Sequence, residues 1–274
     1  MPVDHYENFP VASWLLPPAY RHPIEVIYRF ARSADDFADE GDLPPDERLR
    51  RLAAYTAALD RIEQGDAPSE PLFADVGAII RAHALPIGLF RDLISAFSQD
   101  VTTTRYADFT MLLDYCRRSA NPVGRLLLHV FGRATPVNLE RSDRICTALQ
   151  LTNFWQDIAI DWRKQRVYLP QDDLQRFAVD EAQIASGHWN SAWAALLDYQ
   201  IDRTRRMMLE GAGLARELPG RIGWEIRLTV AGGLRILDRL QRIRGNVFRQ
   251  RPVLGPIDWL TMVAKAAFLR HRPT

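Results

Sequence analysis

The stretch Gln150-Leu-Thr-Asn153-Phe-Trp-Gln-Asp157-Ile-Ala-Ile-Asp161-Trp sets three oxygen-bearing side chains four residues apart, with Phe154, Trp155, Ile158 and Ile160 between them. That period rows Asn153, Asp157 and Asp161 along one helix face and turns bulky apolar groups to the others. Read outward, the same pattern predicts one long helix over residues 139–162. Upstream, apolar spacing predicts helices over 23–37, from a cap at Asp46 to about Gly65, and over 72–84, 87–97 and 109–131. Downstream it predicts short pieces over 172–177 and 180–186, long helices over 190–217 and 222–249, and a last one over 257–269. Proline and glycine pairs punctuate these runs, and the alternation with Asn-Gly or Asp-Gly turns that hairpins require does not occur. Without repeats or linkers, the expected fold is all-α, a single domain spanning 1–274 and built as a bundle of many helices.

Composition narrows the function classes. The 274 residues carry 35 Lys+Arg against 34 Asp+Glu, a net charge of +1, so no global field exists to hold a polyanion and nucleic acid is not an expected partner. Hydrophobic residues make up 47%, enough for a substantial core. The only cysteines are Cys116 and Cys146, in no metal-ligand spacing and no disulfide framework, which fits a reducing cytoplasm. The N-terminus lacks the basic lead of a secretory signal, and no apolar window reaches the roughly 20 residues a membrane span needs. The segment 256–269, with Trp259, Leu260, Met262, Val263 and Phe268 ahead of Arg270 and Arg272, is amphipathic and suits peripheral contact with a bilayer.

A second acidic run, Asp35-Asp36-Phe-Ala-Asp39-Glu40, closes the first predicted helix. Asp35 and Asp39 share a face, while Asp36 points about 100° away and is a weaker candidate. Carboxylates four apart repel, and a helix C-terminus disfavours them further, so a cation is expected among them. Oxygen ligands without His or Cys favour Mg²⁺, which is commonly held by one or two carboxylates plus substrate phosphate oxygens. Asp35, Asp39, Asn153, Asp157 and Asp161 are therefore the candidate metal ligands. Arg32 stands one turn before the first run, and Arg163, Lys164 and Arg166 follow the second, where a guanidinium fork would meet a diphosphate.

These motifs resemble the head-to-head trans-isoprenyl synthases, the squalene and phytoene synthase family. The resemblance rests on Tyr28-Arg-Phe-Ala-Arg32-Ser-Ala-Asp35-Asp36-Phe-Ala-Asp39-Glu40 and on Gln150 through Asp161 continuing to Arg166-Val-Tyr168-Leu-Pro170. It extends to Tyr115-Cys116-Arg-Arg118-Ser-Ala-Asn121-Pro122-Val123-Gly124-Arg125 and the N-terminal His5-Tyr-Glu-Asn8-Phe9. The resemblance covers roughly the whole chain and implies helices around a central apolar cavity. It also implies Mg²⁺ as cofactor and a prenyl diphosphate as substrate. Within the family, His5-Tyr-Glu-Asn8-Phe9 and Ser119-Ala-Asn121-Pro122 look like the hydroxysqualene synthase branch, the HpnC type of bacterial hopanoid pathways. That branch is implied to convert presqualene diphosphate, made by a sister enzyme, with water into hydroxysqualene and diphosphate.

What the resemblance implies for residues is a reacting set of Tyr28, Tyr115, Asp35, Asp39, Asp157 and Asp161. Contacts to substrate are implied for His5, Asn8, Phe9, Arg32, Arg118, Asn121, Gln150, Asn153, Arg166 and Tyr168. Aromatic rings at Phe9, Tyr28, Phe30, Phe154, Trp155 and Tyr168 are candidates to face a cation. Two other readings are a synthase that condenses two prenyl diphosphates and a non-catalytic prenyl-lipid-binding helical protein. An inactive relative is expected to have lost part of a ladder, and both are intact.

Overall fold

A computed structural model describes residues 17–39 (Asp39 by its backbone only), 43–66, 68–255, 258 and 262. The N-terminal candidates His5, Asn8 and Phe9, and most of the predicted helix over 257–269, lie outside the described residues.

Among the described residues twelve helices run in order: α1 Pro18–Asp39, α2 Pro45–Glu63, α3 Pro71–His83, α4 Ile87–Asp100, α5 Phe109–Ser119, α6 Asn121–Val130, α7 Pro136–Arg163, α8 Gln171–Arg176, α9 Glu181–Ser186, α10 Ser191–Gly211, α11 Leu214–Glu217 and α12 Gly220–Arg242. No strand occurs among the described residues beyond an isolated bridge between Arg105 and Val167. No helix among them is long and apolar enough to cross a membrane.

The long helix α7 organises the molecule. It packs against α5, α6, α10, α11 and α12, and its buried residues fall on several faces, from Ile145 and Ala148 to Leu151, Phe154, Trp155 and Ile158. A helix buried nearly all round is a core element. The described apolar residues gather in three clusters, two of which include α7. One joins α1 to α4 with Leu126 and Val130 of α6; a second joins α5, α7, α10 and α12; a third lies between α6, α7, α10 and α12.

Four local expectations are corrected. The predicted helix over 109–131 is broken at Ala120: Ala120 N–H still closes α5 on Cys116 O, at 2.9 Å, but Pro122 has no N–H to continue the ladder, so α6 starts afresh at Asn121. The helix over 190–217 is interrupted after Gly211, where α10 lies so close to α7 that a Cβ would meet Arg141 O at 2.6 Å. The helix over 222–249 stops at Arg242. Gly245 at φ +67° returns its N–H to Leu240 O, a left-handed termination that reads as continuing apolar periodicity in sequence. Finally, Asp46 lies inside the first turn of α2. The residue flanking that helix is Pro44, and no side chain caps it.

Candidate active site

Asn153, Asp157 and Asp161 lie in the last three turns of α7, and Asn153 Nδ2 donates to Asp157 Oδ2. Asp157 also receives a guanidinium: Arg251 Nε donates to Oδ1 and Nη2 to Oδ2, the latter at 3.1 Å. Both side chains are mostly buried, at 15% and 19% exposed. A carboxylate held out of water within an oxygen ladder needs such a partner. Arg251 arrives on the irregular chain after α12, which is pinned to α7 by Gln156 Nε2 donating to Pro252 O at 2.6 Å. It follows Arg239, Arg242, Arg244 and Arg249 in the chain, and no spacing marks it out among them.

On α1 the arginine expected beside the acids is there. Arg32 Nε is 2.8 Å from Asp36 Oδ1, and its Nη1 is 3.9 Å from Asp35 Oδ2. Arg32 thus leans toward Asp36, the carboxylate that helix geometry ranks below Asp35. Tyr28 is half-buried on the same helix. The Asp39 side chain lies outside the described residues. α6 packs against both α1 and α7, and so links the two acidic helices.

Beyond α7 the chain turns at Gln165 and runs along the α4–α5 connection. Val167 N–H donates to Thr104 O, Gln171 N–H to Tyr106 O, and Arg105 Nη1 to Gln165 O. This fixes Tyr168 against Phe154, rings stacked at 3.7 Å and 7°, with Tyr106 and Tyr115 completing an aromatic cluster. Burial, with Asp100 and Asp161 nearby, holds the Tyr168 hydroxyl well above the usual phenol range. Tyr115, fully buried, is raised likewise by burial first and then by Tyr168 and Asp100.

Asp100, at the end of α4, gathers several of these groups. Tyr115 Oη donates to Asp100 Oδ2 at 2.8 Å and Arg166 Nη2 to Asp100 O at 3.1 Å. Beside it Gln99 Nε2 reaches Tyr106 Oη at 3.4 Å, and Arg118 Nη2 donates to Gln99 Oε1 at 2.5 Å. Sequence reading passes over Asp100, one acid at a helix end, because its importance lies in what α5 and the segment after α7 bring to it.

The remaining candidates divide. Arg118 is fastened to Asp114 and Ser95 as well as Gln99. Asn121 is buried and accepts from Thr147 Oγ1 at 2.9 Å, tying α6 to α7. Gln150 is half-buried one turn before Asn153. Among the aromatics, Phe30 and Trp155 are fully buried: Phe30 packs edge-on against Phe90, and Trp155 Nε1 donates to Thr204 Oγ1 at 2.9 Å. Their place is the core.

Among the described residues no three His, Cys, Asp or Glu side chains form a group that could hold a metal ion. The donor chemistry of α7 nonetheless fits a hard cation completed by other oxygens, since Mg²⁺ is characteristically bound through few carboxylates together with water and substrate phosphate.

The squalene/phytoene synthase family profile matches residues 3–258. The chain is 34% identical to a hydroxysqualene synthase of Rhodopseudomonas palustris over 93% of its own length and 85% of that protein. It is 31% identical to a phytoene synthase of Arthrospira platensis, over 91% and 84% respectively. Among solved structures, the squalene synthase HpnC from Alicyclobacillus acidocaldarius superposes with a TM-score of 0.81 at 34% identity, covering 88% of this chain and 90% of that one.

Proposed function

The chain belongs to the squalene/phytoene synthase family, and on that premise we propose that it converts presqualene diphosphate and water into hydroxysqualene and diphosphate. The observation that carries this reading is the position of the Asn153, Asp157 and Asp161 face beside the Phe154, Tyr168 and Tyr115 cluster: groups that neutralise a departing diphosphate adjoin groups that shelter a cation. The likeness to the Rhodopseudomonas palustris hydroxysqualene synthase supports the same product.

The bond from carbon to diphosphate breaks only as the developing charge is neutralised. Asn153, Asp157 and Asp161, with Asp35 and Asp39 from α1, would hold Mg²⁺, which when bound supplies that neutralisation. Arg32 and Arg166 clamp the diphosphate through their planar forks, with Gln150, Arg118, His5, Asn8 and Phe9 as further contacts and Asn121 shaping the α6 wall. Tyr28, Phe154 and Tyr168 offer ring faces to the cyclopropylcarbinyl cation and keep water out until it has rearranged. Water then adds and loses a proton. The substrate comes from a separate reaction joining two farnesyl diphosphates. Substrate and product are lipids, which suits a cytoplasmic enzyme working at the membrane surface.

A second reading, condensation of two prenyl diphosphates, is favoured by the likeness to the Arthrospira platensis phytoene synthase. One experiment separates them. Purified protein with Mg²⁺ is given presqualene diphosphate in ¹⁸O water and, separately, farnesyl diphosphate. Labelled hydroxysqualene from the first is the expected result and chelation by EDTA should stop it, whereas turnover of farnesyl diphosphate alone to a cyclopropyl diphosphate transfers the assignment to the condensing reaction.

A further inference from the structure

The proposed reaction ends when water adds to the cation, a step that needs a group to take the water's proton. Tyr115 is one of three phenols in the aromatic cluster, within ring contact of Phe154 and Tyr168, and the one whose hydroxyl donates to a carboxylate. Its hydroxyl has one proton to donate, and that proton points at Asp100 Oδ2, 2.8 Å away. In this bond the phenol is the donor and the Asp100 oxygen the acceptor. Asp100 is itself only 5% exposed, and its backbone carbonyl is held by Arg166, the arginine that follows the α7 ladder.

The geometry points to Asp100 as the positioning residue for the water-addition step: by taking the Tyr115 proton it presents the phenol oxygen to the cation site as an acceptor. A phenol whose proton is committed to Asp100 cannot serve as an acid toward the departing diphosphate. It can take a hydrogen bond from an incoming water. As the water oxygen forms its bond to the cation carbon, one water proton passes to Tyr115 Oη while the hydroxyl's own proton moves to Asp100 Oδ2. The electrons of the broken O–H bond stay on the product oxygen, and Asp100 releases its proton to solvent as product leaves. Burial keeps Tyr115 neutral between turnovers, so the acceptor is reset each cycle.

This assignment rests on the hydroxysqualene-forming reading, and its test separates the two. Wild type, Asp100→Asn, Tyr115→Phe and the double variant are given presqualene diphosphate in ¹⁸O water, and the ratio of labelled alcohol to hydrocarbon products is taken per diphosphate released. A carboxamide both donates and accepts, so it no longer fixes the phenol's direction. The ratio is expected to fall about tenfold or more in Asp100→Asn and in Tyr115→Phe, and no further in the double variant, since Asp100 acts through Tyr115. A wild-type ratio in Asp100→Asn, or a double variant that loses the product of the two single losses, overturns the assignment. Absence of labelled alcohol from the wild type itself would instead overturn the underlying function. If Asp100→Asn does not fold, the C–O stretch of ring-labelled tyrosine, identified as the band lost in Tyr115→Phe, decides: a phenol that donates is expected, and an acceptor-only signature refutes the proposal.

Discussion

At Asp157 one carboxylate meets three demands: it accepts from Asn153, pairs with Arg251 and stands in the expected metal ladder. Replacing it with alanine is expected to lower turnover about a hundredfold or more while far-ultraviolet circular dichroism stays native. Full activity in Asp157→Ala would remove the ladder from the reaction. Asn121 behaves in the opposite way. Its amide oxygen satisfies the buried Thr147 hydroxyl, so Asn121→Ala should cost about 1–3 kcal/mol of stability, read as a lower denaturant midpoint. The spacing of Asn153, Asp157 and Asp161 is legible in the sequence because a helix converts a period of four into a shared face. Arg251 and Asp100 are not legible, since each acquires its partners from elements 94 and 15 residues distant in the chain.

Between elements, the approach of α6 to α7 is set by Gly124. A Cβ there would meet Ser142 Oγ at 2.3 Å and Cys146 Sγ at 2.6 Å. Gly124→Ala should therefore push the helices apart, costing about 1–3 kcal/mol and lowering the thermal midpoint. The α4–α5 connection that carries Tyr106 is held to α9 by Arg105, whose Nη2 donates to Glu181 Oε2 at 2.8 Å. That bond keeps the Glu181 carboxyl below its ordinary range. A depressed folded-state value means the pair stabilises above the ordinary carboxylate range and is lost as pH falls through it toward the folded value. Both groups are partly exposed, so the effect is at most about 1 kcal/mol. The midpoint difference between wild type and Glu181→Gln should shrink as pH drops from 7 to 3, and a difference that persists at pH 3 would rule this bond out as its source. Helix existence is written in the periodicity of each segment. The ends at Ala120, Gly211 and Arg242 follow from a missing N–H, a close helix neighbour and a left-handed glycine, none of which changes the apolar pattern.

Across the molecule, the apolar clusters share elements: α4 contributes Phe90 and Leu93 to one and Ala96 to another, and α6 divides Leu126 and Leu128 between two. Cores joined in this way should melt together, so calorimetry is expected to give one transition; two resolved transitions would argue for separate domains. The sequence by itself determined that the chain is helical, that carboxylates line two helix faces, and that arginines stand next to both, because helical periodicity and short-range spacing are local properties. Only the tertiary structure decided which cation rests on Asp157, which hydroxyl faces Asp100, and which aromatics lie in the core instead of beside the ladder. Those outcomes depend on which helices pack together, and burial then makes each buried polar group find a partner wherever the fold provides one.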